Sequence, residues 1–461
     1  MNCFIFYFQS RVGLLSHQHC LRLGVLKKLT DYKEEIHKCS KCRLCQSVCP
    51  VYQITGNDCA VSRGKFIMLN GIIKGDLKLN KNVNKYLDMC LKCNACKDFC
   101  PSGIDAREIF LTAKAEYFEK SANSKFIKIL NSRLLFNSFM NLTKLGLNSY
   151  RFLRFDRILK NFYPILEKFS LGKRIILANE FIAKSKKQKA KGIEPTFSFW
   201  PFAFYSKRKA TSLTKVVYFK GCVNEFVNPR VKNAVQNVLA KMGIEVLPVD
   251  FQCCGVPFLS GGNAEQFKKQ AEFNIQQIPD EFDYFLTDCA SCQNAFIEYE
   301  NYIEDEKLLE KLKKINQKSL NIVDFVIKNI KSIEFKENTS FTFHKPCHLE
   351  DMSFLQEFLT KSKNVEYIEM KDFDKCCGFS GEFRLHNPEL SLKISAQKTK
   401  NALETKADYI LTSCPACVLG LNQGLIEAKS KMQNAKGKKQ KAKKPILNFV
   451  EFISIAEKIE F

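Results

Sequence analysis

Eight cysteines fall into two copies of one spacing: Cys39-x2-Cys42-x2-Cys45-x3-Cys49-Pro50 and Cys90-x2-Cys93-x2-Cys96-x3-Cys100-Pro101. Short two-residue loops wrap three thiolates around one corner of a four-iron cubane. The fourth cysteine, held by proline at the start of the next segment, reaches across to the other cluster. That logic assigns Cys39, Cys42, Cys45 and Cys100 to one [4Fe–4S] cluster, and Cys90, Cys93, Cys96 and Cys49 to a second. Zinc sites also use C-x2-C pairs, but zinc wants four ligands in two pairs. Each run here is three plus one, followed by proline.

Ten further cysteines form a longer repeat. Cys222, Cys253-Cys254-Gly255 and Cys289-x2-Cys292 recur as Cys347, Cys376-Cys377-Gly378 and Cys414-x2-Cys417. Cys222 to Cys347 is a step of 125 residues, Cys253 to Cys376 one of 123, and Cys289 to Cys414 one of 125. The surrounding text repeats too: FDYFLTDCASC against ADYILTSCPAC, and LNIVDFV against LNFVEFI. A fixed offset of this kind marks a duplicated domain. Five thiolates exceed what one zinc ion uses and favour an iron–sulfur cluster in each copy. Adjacent cysteines followed by glycine would strain an intrachain disulfide. His344 and His348 flank Cys347 and read as packed or hydrogen-bonding side chains rather than ligands. Cys3, Cys20 and Cys59 remain as ordinary thiols.

The elements that must bring these thiols together follow from periodicity. Lys215–Gly221 is a β-branched and aromatic run ending at Cys222. Residues 228–242 carry a helical period, and Ile244–Val249 form a second strand before the adjacent cysteine pair. A helical stretch follows over about 263–278, and Tyr284–Thr287 form a third strand just before Cys289. Strands alternating with helices predict parallel β-α-β units, whose sites form at the carboxyl edge of the sheet. The five thiols of a copy are therefore expected on one rim.

The whole chain has 461 residues, 45% apolar and 26% charged, with 21 cysteines. This length needs no disulfide staples, and the composition argues against disorder or a fibrous repeat. No secretory leader is read at the start, and Tyr409–Ile426, the longest uncharged run, is a poor membrane span because of Pro415, Asn422 and Gln423. A reducing cytoplasm is the expected location. Lys and Arg total 72 against 48 Asp and Glu, a net charge of +24. In residues 121–210, Arg151, Arg154, Arg157 and Lys160 interleave with Phe152, Phe155, Leu159 and Phe162, predicting a basic amphipathic helix. The favoured reading packs its apolar side on neighbouring domains; the other lays it on the inner face of the cytoplasmic membrane. Pro195, Trp200 and Pro201 mark an irregular connector. The lysine runs at 184–191 and 436–444 read as solvated loops, and no nucleic-acid-binding signature accompanies them. There is no G-x-G-x-x-G after a strand, no G-x-x-x-x-G-K-[ST] and no C-x-x-C-H, so no FAD, NAD or covalent-haem site is seen.

With this order of motifs the chain resembles the iron–sulfur subunit of glycolate oxidase and its relatives in the heterodisulfide reductase CCG-domain family. The segments CPVYQITGNDCAVSRGKFIMLNGIIKGD and CPSGID carry the likeness further. The resemblance implies a mixed α+β and α/β architecture. A poorly defined extension at 1–29 precedes a helical bacterial-ferredoxin-type domain at 30–120 with two cubane clusters. A basic helical connector at 121–210 leads to CCG domains at 211–335 and 336–461, with parallel sheets. It also implies one or two further clusters of non-cubane type. Their ligands would be Cys222, Cys253, Cys254, Cys289 and Cys292, then Cys347, Cys376, Cys377, Cys414 and Cys417. The implied function is electron transfer from an FAD-linked 2-hydroxy-acid dehydrogenase, of glycolate or lactate type, toward a quinone or other acceptor. The chain itself is then a conduit, with the oxidoreductase activity belonging to the complex. Glycolate-oxidase-type subunits often lack part of the C-x2-C element, which both copies keep here. The alternative is therefore a heterodisulfide-reductase-like subunit whose clusters reduce a disulfide, or one serving another respiratory system such as anaerobic glycerol-3-phosphate dehydrogenase.

Overall fold

The computed structural model describes residues 27–121, 214–349, 351–436 and 445–461. The expected amphipathic helix, the irregular connector, the lysine run at 184–191, nearly all of the second run, Cys3 and Cys20 lie outside the described residues.

The amino-terminal part is helical. Ser62–Lys74, Lys81–Asp88 and Ala106–Ser121 are its main helices. Asn80 starts the second by accepting the amides of Asn82 and Val83, which satisfies donors that a helix start leaves open. Phe66, Leu69, Leu87, Ile109 and Phe110 meet in one apolar core with Leu29, Tyr32 and Ile36. The cysteine runs are loops on this frame, each ending in a short helix, Leu44–Val48 or Ala95–Asp98.

Two parallel sheets follow. In the first, β1 (Lys215–Phe219), β2 (Glu245–Leu247), β3 (Tyr284–Thr287) and β4 (Ser319–Asn321) lie in the order β2-β1-β3-β4. In the second, β5 (Ser332–Phe343), β6 (Ser362–Tyr367), β7 (Tyr409–Thr412) and β8 (Ile446–Asn448) repeat it as β6-β5-β7-β8. β9 (Lys458–Glu460) adds antiparallel to the start of β5. β5 runs through the expected division at 335/336 and ends three residues before Pro346.

The repeated text has a physical meaning in both sheets. LNIVDFV and LNFVEFI each end a strand at an asparagine that caps the next helix. Asn321 accepts the amide of Val323 at 3.0 Å, and Asn448 that of Val450 at 3.1 Å. The aromatic residues of the two segments then receive the tyrosines that open β3 and β7. Tyr284 sits 5.0 Å from Phe325, and Tyr409 5.2 Å from Phe452, centroid to centroid. The two copies are not separate bodies. Val216, Val235, Ile322 and Val326 share one core with Phe341, Phe358, Phe449 and Phe452. Each fully buried aromatic or aliphatic side chain is worth about 1.5–3 kcal/mol. A core this large fixes one sheet against the other.

Candidate metal centres

The two amino-terminal runs share a backbone device. Lys41 and Arg43 have φ of 59° and 68°, and Lys92 and Asn94 have 57° and 62°. Each pair brackets the second cysteine of its run. Left-handed conformations at such residues are uncommon and costly, and successive turns of this kind make concavities of backbone N–H groups that hold anions. The Lys92 amide donates to Cys90 Sγ at 3.4 Å. Duplicated strain at matching positions fits a bound anionic group.

Cys39, Cys42, Cys45 and Cys100 line one small cavity, which Cys96 also borders. Cys49, Cys90, Cys93 and Cys96 line a second, together with Lys65, Lys92 and Arg107. The linings include the two quartets expected from spacing, but Cys96 borders both cavities, so the first draws two cysteines from the other run. Burial pushes Cys49 up to about 11, against the Tyr52 amide and the Lys65 charge. Burial also raises Cys45 and Cys96. The exposed Cys42 is lowered, chiefly by the Leu44 amide. Thiols held this close in a low dielectric repel as thiolates, and a metal core removes that conflict. The donor set therefore fits two four-iron clusters.

In the first sheet Cys222 follows β1, the Cys253–Cys254 pair follows β2, and Cys289 follows β3. They meet on the carboxyl rim. Cys253 Sγ lies 3.7 Å from Cys222 Sγ, and Cys292 Sγ lies 3.5 Å from Cys254 Sγ. In the second sheet Cys377 Sγ lies 3.3 Å from Cys417 Sγ, and the thiols of Cys347 and Cys376 share a hydrogen bond. The turns that carry the pairs are pinned from behind. Tyr299 Oη donates to Cys254 O at 2.8 Å and Asn274 Nδ2 to Cys253 O at 3.2 Å. Ser395 Oγ donates to Cys377 O and Ser391 Oγ to Gly378 O, both at 2.7 Å. Contacts from Cys253 and Cys292 lower Cys254 to about 5, and contacts from Cys376 and Cys417 hold Cys377 well below the thiol range. The same member of each adjacent pair is thus the one readiest to be a thiolate, the form that binds metal.

The thiol groups also touch one another across domains. Cys93 of the second run meets Cys376 side chain to side chain, a contact that with burial pushes Cys93 well up. Cys289 meets Cys414 across the two sheets. Sulfur thus follows sulfur from the first cavity to the second, then to the second sheet's rim, then to the first's. Docking side chains hold this order. Arg107, on the helix Ala106–Ser121, pairs with Glu298 of the helix Ala290–Glu298. Lys114 binds Asp88 at 2.7 Å and donates to Ser260 O at 2.8 Å. His348 Nδ1 accepts from Ser291 Oγ at 2.9 Å, and its Nε2–H donates to Lys92 O at 3.3 Å. One imidazole thereby joins three cysteine-bearing loops, as the expectation of a hydrogen-bonding histidine requires.

Sequence reasoning missed Lys65, Lys92 and Lys114, all buried. Lys65 left a signal: it shares the helix side of Phe66 and Leu69, where a lysine is out of place. Lys92 and Lys114 left none. Among the described residues, no helix is long and apolar enough to cross a membrane.

Comparison with known proteins agrees with this build. A family described as a 4Fe-4S dicluster domain matches residues 35–104, and one described as a cysteine-rich domain (CCG) matches twice, at 216–297 and 341–422. Together they cover just over half of the chain. The probable glycolate oxidase iron-sulfur subunit of Bacillus subtilis is 22% identical over 410 residues, 85% of this chain and 89% of that protein. Lactate utilization protein A of Bacillus cytotoxicus is 28% identical over 221 residues, 46% of this chain and 92% of that protein. A hypothetical protein from Helicobacter pylori overlaps 54% of this chain and 50% of its own, with 12% identity and a TM-score of 0.41. Two dicluster cysteine runs and two CCG copies at one offset lead to one conclusion: the chain belongs to the iron–sulfur proteins that join a 4Fe-4S dicluster domain to two CCG cysteine-rich domains, and it is similar along most of its length to a glycolate oxidase iron-sulfur subunit.

Proposed function

We propose that the chain is the electron-transfer subunit of an FAD-linked dehydrogenase for a 2-hydroxy acid of glycolate or lactate type, delivering electrons toward a quinone or other acceptor. The observation that carries this is the unbroken sequence of thiol contacts from the dicluster domain through both CCG copies. Bound clusters supply one-electron chemistry. The chain's own residues set the order of the sites, bury them, and keep the thiols of each quartet or pentad within reach of one another. Cys39, Cys42, Cys45 and Cys100 hold one cubane, and Cys49, Cys90, Cys93 and Cys96 the other. Cys222, Cys253, Cys254, Cys289 and Cys292 serve the first CCG copy; Cys347, Cys376, Cys377, Cys414 and Cys417 serve the second. The substrate would be oxidised on a separate flavoprotein, which takes the hydride and releases its two electrons singly.

Anaerobic purification with iron and sulfide analysis tests the reading. About sixteen iron atoms per chain match four four-iron clusters; a zinc-only preparation refutes it. Addition of glycolate or lactate together with a co-purifying flavoprotein should bleach the cluster absorbance, and neither component alone should. A heterodisulfide-reductase-like reading is favoured by one observation, the Cys289–Cys414 contact that brings both CCG copies face to face. Disulfide reduction by the isolated chain with an artificial donor would put that reading first.

A further inference from the structure

The two CCG copies are not chemically equivalent. The offset of 125 residues that relates Cys222 to Cys347 relates Phe219 to His344. Phe219 ends β1 among Phe251, Phe285 and Phe296, at 4.8, 6.3 and 5.1 Å between centroids. His344, directly after β5, is just as completely buried, with 0% of its surface exposed. Its amide donates to Leu411 O at 2.8 Å, and its Nδ1 bonds to Phe373 O at 3.2 Å. A carbonyl only accepts, so Nδ1 carries the proton and Nε2 presents a lone pair. That Nε2 has no hydrogen-bond partner among the described residues. A buried polar atom left so costs about 1–3 kcal/mol.

The lone pair has an evident target. A ring nitrogen of His344 and the sulfurs of Cys377 and Cys417 all lie within 4.8 Å of one another, and the two sulfurs are 3.3 Å apart. Two thiolates and an imidazole on one tetrahedral metal sit about 3.5–3.8 Å apart, given metal–sulfur and metal–nitrogen bonds of about 2.3 and 2.0 Å. At most about 1.3 Å of adjustment closes the gap.

We propose that His344 Nε2 is a ligand to an iron of the second CCG copy, alongside Cys377 and Cys417, so that this copy has mixed nitrogen and sulfur ligation and the first copy sulfur alone. The inference rests on the reading that the CCG copies hold iron. A thiolate in the imidazole's place would lower that centre's potential, as histidine in place of cysteine raises it.

The test uses the full chain, purified anaerobically, with 15N-histidine and with 57Fe. Pulsed EPR of the partly reduced protein should show hyperfine coupling of a directly bound nitrogen that scales between 14N and 15N. Mössbauer spectra, which also read EPR-silent iron, should show one iron environment changed in His344→Phe, the substitution that copies Phe219. His344→Cys should restore iron content with a lower potential for that centre. Isotope scaling in the unmutated protein answers the question even if His344→Phe fails to fold. Iron near sixteen per chain without nitrogen coupling or a changed iron environment overturns the role of His344 alone. Iron near eight, with zinc or nothing at the CCG copies, overturns the parent reading as well.

Discussion

Gly255 and Gly378, the third letters of the two CCG motifs, have φ of +80° and +78°. The chain reverses there, so that both adjacent thiols face the rim while the next helix begins. A Cβ at Gly378 would stand 2.7 Å from both Cβ and Cγ2 of Ile394 and 3.2 Å from Ser391 O. At Gly255 it would stand 2.8 Å from Phe267 Cδ2 and 3.3 Å from Gln270 Cβ. An L-residue in the left-handed region costs about 1–2 kcal/mol, and forced overpacking about 1–3 kcal/mol. Gly378→Ala should therefore cost about 2–5 kcal/mol, and Gly255→Ala somewhat less because a ring edge yields more easily than a branched Cβ. Two controls separate the causes. Gly75 has φ +86° with nothing within 4 Å of a Cβ, so Gly75→Ala should show the strain alone. Gly381 has open space and no positive φ, so Gly381→Ala should be neutral or stabilising by about 0.4–1 kcal/mol. Anaerobic thermal unfolding and iron per chain, measured on all four, should rank them Gly378→Ala, Gly255→Ala, Gly75→Ala, Gly381→Ala from worst to best. Unfolding of a multidomain metalloprotein is scanned at one fixed rate, since its midpoint depends on rate. Normal iron and an unchanged midpoint in Gly378→Ala would refute the close-packing argument. A loss in Gly75→Ala equal to that in Gly378→Ala would assign the whole effect to backbone strain.

Arg107→Ala strips a largely covered cation from Glu298, whose carboxylate then keeps only Asn294 Nδ2, at 2.8 Å, among the described residues; breaking a pair between the exposed and the fully buried case costs about 1–3 kcal/mol. Loosened docking should appear as faster proteolysis between the dicluster and first CCG regions. Lys120→Ala, at an exposed pair with Glu116, should cost under about 0.5 kcal/mol. His348→Phe orphans Ser291 Oγ and Lys92 O, so hydrogen exchange should quicken around residues 90–93 and 289–292 while iron content holds; unchanged exchange would remove His348 as the three-way tie. Asp324 is pushed up by burial to about 6. A carboxyl raised in the fold favours the neutral acid, so its contribution is full below about 3.8 and is lost as pH rises toward 6. Asp324→Asn should thus stabilise by about 1–3 kcal/mol at pH 7.5 and by about half as much at pH 5. A gain that grows on acidification would reverse the sign of this reasoning.

What was legible in the sequence was whatever acts over a short span. The three-plus-one runs, the strand before each cysteine and the repeat of LNIVDFV all depend on residues within a turn or two of one another. β1, β2 and β3 fall inside the expected runs, and the helices Pro229–Lys241 and Ala264–Gln277 fall within a residue of theirs. The fourth strand of the first sheet was hidden, because three residues are too few to show a period of two. The meeting of Cys93 with Cys376 was hidden for a different reason. It depends on how three bodies dock, and docking is decided by surfaces assembled from distant segments. His344 lay between these cases. Laying one copy over the other exposes a histidine against a buried phenylalanine, and that mismatch is a stronger signal than its closeness to Cys347.

Charge followed the same division. The net +24 suggested little, because most lysines on a basic chain are solvated. Four described lysines are not: Lys65, Lys92, Lys114 and Lys398 are all buried; the first three belong to the dicluster domain, and Lys65 and Lys92 line its second cavity. Lys65 donates to Ala60 O, and Lys92 to Ser260 O at 3.2 Å. Of the three, Lys114 has a carboxylate in direct contact, Asp88. Ammonium groups buried against carbonyls are costly to keep charged, and for Lys92 burial and the Lys114 charge lower the amine to about 7. A cluster held by four thiolates brings net negative charge to the wall that Lys65 and Lys92 share. Such a cluster would offset the cost of burying them, and they in turn would favour its reduced form. The same lysines would then count as a liability without the cluster, so loss of iron and loosening of the dicluster domain from Ser260 of the first CCG copy should occur as one event.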